Sequence, residues 1–244
     1  MSTKLVDEIR ARYERVLSQI ETAARQAGRA PETVRLVVVS KTHPLETIQA
    51  ALEAGIRDLG ENYAEEAVGK IQALGPLEGL RWHMIGHVQS RKADLVAQNF
   101  DFMHSLDSLK LAQRLNRFAA EAGRVLPVLL ECNVSGEESK FGYAAWDEAH
   151  WPALAAEAAQ IAELPHLEIC GLMTMPPLFE QAEVTRPFFR RLCEVRENLV
   201  KRVPRERWDE LSMGTSADFT AAVAEGATLV RVGTAILGAR PPKG

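Results

Sequence analysis

The stretch Val37–Pro44, VVVSKTHP, places Lys41 directly after an unbroken apolar run. Such runs usually close on Gly, Asn or Asp, so an amine at this point is either a solvated strand end or a group held for chemistry. A lysine held in this way attacks carbonyl carbon and forms an imine. Two later segments offer a complementary function. SMGTSAD begins at Ser212 and carries Gly214 for close backbone approach and the hydroxyls of Thr215 and Ser216. RVGTAILG adds Gly233 and Thr234 in a matching turn, with Arg231 two residues earlier on the same strand face. Glycine, hydroxyls and the amides of a helix start favour a bound anion such as phosphate. Two plainer readings stand beside these: Ser216 as an ordinary helix cap, and Arg231 as a structural arginine paired to a carboxylate.

These residues need elements that bring them together. Leu5, Ile9, Tyr13, Val16, Leu17 and Ile20 recur at helical spacing, which predicts an opening amphipathic helix up to about Gly28. Apolar runs then follow at about 36–39, 58–60, 81–85, 101–104, 126–134, 168–173, 209–212 and 228–231, each before a helical pattern or a closing turn of helix. Pro44 and Gly55, Asp107 or Ser108, and Ser216 mark helix boundaries between them. Eight strands alternating with helices imply parallel crossovers, and about 250 residues is the usual size of a (β/α)8 barrel, whose working groups sit at the C-terminal strand ends. An open doubly wound sheet would want a glycine-rich turn after the first strand, and VVVSKTHP has none. The fold expected is one α/β (β/α)8 TIM barrel over residues 1–244, with an extra N-terminal helix and no second β-domain; the tail ARPPKG is expected to be loosely ordered.

In a barrel the strand-end residues share one mouth, and a phosphate is often held after the seventh and eighth strands. A lysine ending the first strand, beside that seat, suits a phosphorylated aldehyde bound as an imine, namely pyridoxal 5'-phosphate (PLP). Imine formation needs a neutral amine, which partial desolvation in a barrel mouth favours. Arg231, always charged, would meet the pyridine nitrogen and keep it unprotonated, which weakens the ring as an electron sink. His83 and His87 are four apart, about 13 Å along a strand, too far for one metal ion. His83 reads instead as a core or mouth histidine and is retained as a candidate cofactor contact. Met173 and Met175 read first as core packing, with Met175 the candidate to lie against the ring.

The function classes excluded are clear. A net charge of -4 leaves no basic surplus for non-specific nucleic-acid binding. No stretch reaches the roughly 18 apolar residues of a membrane span, and the N-terminus lacks the apolar core of a secretion signal, so a cytoplasmic protein is expected. Cys132, Cys170 and Cys193 are odd in number and widely spaced, consistent with reduced thiols rather than a disulfide frame or a metal site.

The segments SKTHP, LGENY, WHMIGHVQSRK, NVSGEESKFG, GLMTM and LSMGTSADFTAAVAEGATLVRVGTAILG together resemble the YggS/PROSC family of pyridoxal-phosphate homeostasis proteins, over nearly the whole chain. That family is similar to the N-terminal barrel of alanine racemase and to fold-type III decarboxylases. The resemblance implies that Lys41 carries the cofactor as an internal aldimine, that Ser216 with the Gly233 and Thr234 amides holds the phosphate, that Arg231 meets the pyridine nitrogen, and that Asn62 lies near the cofactor. Two departures stand out: His43 replaces a second lysine, and Arg91 stands where asparagine is frequent. Lys140 in ESKFG is retained and is the candidate for any role of a second lysine. A monomer that binds, buffers or delivers PLP, with little or no catalysis and transient contacts to apo PLP-enzymes, is the leading expectation. A racemase needs a second acid/base, commonly a tyrosine from another domain, and Tyr13, Tyr63 and Tyr143 leave few candidates. The alternatives are a small PLP-dependent racemase or lyase, and a Schiff-base aldolase on phosphosugars.

Overall fold

A computed structural model of the chain describes residues 3–239. The ARPPKG tail therefore lies, from residue 240 onward, outside the described residues. No helix among those described is long and apolar enough to cross a membrane.

The chain opens with α1 (Thr3–Gln26), then alternates: β1 (Arg35–Val39), α2 (Leu45–Glu53), β2 (Asp58–Glu61), α3 (Ala64–Leu74), β3 (Arg81–Met84), α4 (Ala93–Asn99), β4 (Phe102–Leu106), α5 (Leu109–Glu121). It continues with β5 (Leu126–Asn133), β6 (Tyr143–Ala144), α6 (Trp151–Ala162), β7 (Leu167–Met173), α7 (Arg186–Arg202), β8 (Glu210–Ser212), α8 (Phe219–Ala224), β9 (Leu229–Val232) and α9 (Thr234–Leu237). The strands run β4-β3-β2-β1-β9-β8-β7-β5, and β4 pairs with β5 to close eight parallel strands into a (β/α)8 barrel. The two-residue β6, which the sequence did not announce, pairs with the end of β5 at Cys132 and Asn133.

Closure joins the two ends of the barrel. Arg35, Leu36, Val37 and Val38 of β1 pair in parallel with Leu229, Val230, Arg231 and Val232 of β9. Helix α1 spans this seam: its Val6, Ile9, Val16 and Ile20 are buried, spaced as one helical face. Arg10 donates to the Glu53 carbonyl of α2, Arg12 to the Ile236 carbonyl of α9, and Arg29, just beyond the helix, to the Val223 carbonyl of α8. The N-terminal helix thus ties the first helix of the barrel to the last two.

Side chains alternate across each strand. In β1, Leu36 and Val38 face the helices, whereas Val37 joins Phe102, Leu129, Cys170, Met173 and Leu229 in a small cluster inside the barrel. The same alternation sends Asp58, His83, His104, Ser212 and Arg231 into the lumen. Carried past the end of β1, it points Lys41 inward too. The sequence expectation fails at one boundary: Ser216 does not open α8. The helix starts at Phe219 with Asp218 as N-cap, and the Asp218 carboxylate accepts from the Thr215 amide at 2.7 Å and the Thr215 hydroxyl at 3.0 Å. This capped turn depends on Gly214, whose φ is +92°; a Cβ there would lie 2.6 Å from Ala222 Cβ and 2.9 Å from Phe219 Cα. Gly214→Ala is expected to lower the unfolding free energy by about 2–3 kcal/mol, read from urea denaturation; an unchanged midpoint would show that the turn yields freely.

Candidate functional site

At the C-terminal mouth, between the ends of β1, β2, β8 and β9, lies a cavity of about 280 Å³, at the small end for a ligand pocket. Its polar lining comprises Lys41, Asn62, Thr215, Ser216, Arg231 and Thr234, with Gly233 between the last two; Val39, Ile85, Met175, Leu178 and Ala217 complete it. Eight of the ten sequence candidates therefore line this one cavity. Ser212 and His83 do not line it. Ser212 is wholly buried beneath Arg231, and His83 lies deeper, its Nε2 2.9 Å from Asp58 Oδ1. Lys140, in the loop after β5, is also outside the lining, and His87 lies apart from His83, with Nδ1 2.9 Å from Asp107 and its ring stacked on Phe141 at 3.8 Å.

Lys41 is aimed by a turn that sequence reasoning missed. Thr42 has a φ of 63°, in the left-handed region, a strained conformation for a β-branched residue. Its amide donates to Glu66 Oε1 at 2.7 Å, and the His43 amide returns to the Ser40 carbonyl at 3.2 Å. Behind the turn, Lys70 Nζ donates to the Ser40 carbonyl at 3.0 Å, to Glu61 Oε1 at 2.8 Å and to Glu66 Oε1 at 2.5 Å. Ser40 Oγ donates to the same Glu61 oxygen at 2.8 Å. Burial pushes the Glu61 carboxyl up against the opposing pull of Lys70. Glu66 and Lys70 are legible as an i,i+4 pair on α3, but nothing local shows that they fasten the turn carrying Lys41.

The opposite end of the cavity is built from two loops that hold each other. The Gly233 amide donates to Ser216 Oγ at 3.3 Å. Gly233 also lies close against β1, where a Cβ would come within 3.2 Å of the Val39 carbonyl oxygen. Without a side chain at Gly233, this loop approaches the end of β1 closely. On the floor, Arg231 is buried, which lowers its pKa to about 10, so it stays charged at neutral pH. Its Nη1 donates to Ser212 Oγ at 2.5 Å, and its Nη2 to the Thr174 carbonyl and to Met175 Sδ, both at 2.8 Å.

This set fits PLP: an amine for the aldehyde, hydroxyls and amides for the phosphate, a guanidinium for the ring nitrogen, and apolar Val39, Ile85 and Met175 for the ring. Asn62 Oδ1, in the lining, is buried with no hydrogen-bond partner among the described residues, as expected of a group that awaits a ligand.

A barrel with a lysine at the end of β1 and glycine- and hydroxyl-bearing loops after β8 and β9 is the architecture of the alanine-racemase-like barrels; the family described as alanine racemase, N-terminal domain, matches residues 13–241. An alanine racemase of Clostridium difficile 630 has the same fold at a TM-score of 0.69 and 16% identity, over 97% of this chain and 58% of that one. Within that class the chain belongs to the family of pyridoxal phosphate homeostasis proteins. It is 44% identical over 226 residues to the pyridoxal phosphate homeostasis protein of Pseudomonas aeruginosa, across 93% of each chain. It is 40% identical to PipY of Synechococcus elongatus PCC7942, solved with PLP bound, at a TM-score of 0.76 over 90% of this chain and 100% of that one.

One lumen carboxyl near the site is strained electrostatically. Glu131 is buried, its Oε2 has no hydrogen-bond partner among the described residues, and burial with the nearby Asp107 charge raises its pKa from 4.5 to about 7. The folded protein therefore holds a proton here more tightly than the unfolded chain does. That stabilisation is complete below about pH 4.5 and is lost as pH rises through about 7. Glu131→Gln is expected to raise the unfolding free energy above neutral pH by up to about 3 kcal/mol and to matter little near pH 4.5. Urea denaturation across that range checks it; equal differences at both ends would contradict the assignment.

Proposed function

We propose that this protein binds PLP as an imine on Lys41 Nζ and serves PLP homeostasis, holding and releasing the cofactor with little or no catalysis of its own. When bound, PLP supplies an electrophilic aldehyde and an electron-withdrawing ring. The chain's own residues divide the work of holding it. Ser216, Thr215 and the Gly233–Thr234 turn receive the phosphate, Arg231 donates to the ring nitrogen, Asn62 Oδ1 lies beside the ring, and Lys41 holds the aldehyde carbon. An arginine donor leaves the ring nitrogen without its own proton, which suits storage better than carbanion chemistry.

The observation that carries the non-catalytic reading is the cavity lining. Among the described residues it presents Lys41 as its one general base and no His, Tyr, Cys, Asp or Glu. Racemisation requires a second acid/base on the far face of the substrate. Tyr63 is half exposed at the start of α3 and Tyr143 lies on β6, both outside the lining. We further place the protein in the cytoplasm as a single-domain monomer spanning residues 1–244, in transient contact with apo PLP-enzymes.

Lys41→Ala is expected to abolish the borohydride-trappable PLP adduct with the fold intact by circular dichroism; peptide mass mapping that finds the label on another lysine of the wild type would reject the assignment. Ser216→Ala is expected to weaken PLP binding by roughly 1.5–3 kcal/mol through loss of a charge-assisted hydrogen bond, about tenfold to a hundredfold in the dissociation constant. An unchanged constant would remove Ser216 from the phosphate seat. Incubation of the PLP-loaded protein with L- and D-amino acids, followed by α-proton exchange, is expected to show no robust turnover.

A further inference from the structure

Arg231 is a buried cation whose side-chain acceptors among the described residues are all neutral: Ser212 Oγ, the Thr174 carbonyl and Met175 Sδ. A buried charge normally has an opposite charge beside it. The carboxylates of Asp218 and Glu131 act on Arg231 through space without hydrogen-bonding it; the carboxylate joined to it by hydrogen bonds lies at the end of a chain that crosses the barrel lumen. Ser212 Oγ of β8 is 2.8 Å from His104 Nδ1 of β4; His104 Nε2 is 3.0 Å from His83 Nδ1 of β3; His83 Nε2 is 2.9 Å from Asp58 Oδ1 of β2. His83, His104 and Ser212 are each 0% exposed.

The direction of every link follows from its two ends. An arginine only donates, so Ser212 oxygen accepts from Arg231; that oxygen has a second lone pair, and it is the ionised Asp58 end, followed through two neutral rings, that sends the serine hydrogen to His104 Nδ1. His104 then carries its proton on Nε2 and donates to His83 Nδ1, and His83 carries its proton on Nε2 and donates to Asp58. The reversed chain would need a proton on Asp58 or a second proton on a ring. Burial lowers the pKa of both histidines, against the pull of Asp58 on His83. Burial pushes Asp58 up, but the hydrogen bond from His83 and the hydrogen bond and charge of Arg81 outweigh it and hold the carboxyl below its ordinary value. At neutral pH one arrangement satisfies all the links.

We propose that Asp58 is a remote, hydrogen-bonded counter-charge of Arg231 in addition to Asp218 and Glu131, and that His83, His104 and Ser212 are positioning residues that carry its polarity across the lumen to the floor of the pocket. Each donor in the chain is polarised by the next acceptor, so Ser212 presents an electron-rich oxygen to the guanidinium. That oxygen and the Thr174 carbonyl draw Arg231 down against the floor and fix which of its N–H groups remain for the pocket. The functional meaning of the relay rests on the reading that Arg231 faces the PLP ring nitrogen; its existence does not.

Nitrogen NMR on histidine- and arginine-labelled protein without cofactor, combined with equilibrium PLP binding, tests the relay. In the wild type near neutral pH both rings are expected to be neutral with the proton on Nε2. Asp58→Asn keeps an acceptor for His83 and removes the charge. It is expected to move the His104 and Arg231 side-chain resonances as well as those of His83, and to weaken PLP binding by roughly twofold to 150-fold, the span of coupling within one hydrogen-bond network. Ser212→Ala cuts the last link and is expected to move Arg231 and His104 while leaving the proton on His83 Nε2. Arg81→Gln removes only the half-exposed cation 2.9 Å from the other Asp58 oxygen and is expected to leave the Arg231 resonances in place. A proton on Nδ1 of either wild-type ring would overturn the relay, as would Arg231 resonances unmoved in folded Asp58→Asn. Should Asp58→Asn not fold, the wild-type ring protons and Ser212→Ala decide. Failure of the wild type to bind PLP would overturn the functional reading, while the cofactor-free spectra would still decide the relay.

Discussion

The parallel hydrogen bonds between β1 and β9 are the constraint from which the site follows. They join the first strand of the barrel to the last, and the register that pairs Val37 with Arg231 fixes which residues meet. With one face of each strand turned inward, Lys41 enters the cavity from above and Arg231 from below, while Gly233 lies against Val39 between them. Closing so long a loop costs chain entropy that grows only slowly with length. Helix α1 helps to offset it by spanning the seam. The helix is remote from the cofactor pocket, yet its arginines hold the two ends of the barrel in place.

The lumen shows what the fold gives up for this arrangement. Interiors of such barrels are usually packed with branched apolar side chains. Here the inner apolar cluster has six residues, and the rest of the space goes to Asp58, His83, His104, Ser212, Arg231 and Glu131. Buried polar networks of this kind are stable when every member is satisfied and costly when one is not. The relay from Asp58 to Arg231 is satisfied throughout. Glu131, with an unpartnered oxygen and a raised pKa, is not, and Thr42 adds backbone strain beside Lys41. Strain and unmet polar groups collect at the mouth, where a ligand would meet them.

Much of this was legible in the sequence because it depends on local signals. The alternation of apolar runs and helical patterns marked eight strands, put Lys41 at the end of the first, and set Arg231 two residues before Gly233 on the same strand face. What was not legible depends on closure. His104 was not singled out, and Asp58 sat at a strand start far from the mouth; their link appears only when β2, β3, β4 and β8 face one another across the lumen. Lys70 was not singled out, because its role appears only when α3 folds behind the turn at Ser40. The start of α8 was misplaced because Thr215, Ser216 and Asp218 are all good cap residues. The Asp218 side chain takes the amide and hydroxyl of Thr215, upstream of the helix, which leaves the Ser216 hydroxyl to meet Gly233.

Absorption titration of the purified, cofactor-free protein with PLP tests the central claim most directly. The account predicts a saturable visible band of a lysine-bound imine at one equivalent of PLP in the wild type, and none in Lys41→Ala. A wild-type protein that stays colourless at saturating PLP, or a Lys41→Ala variant that develops the same band, would contradict it.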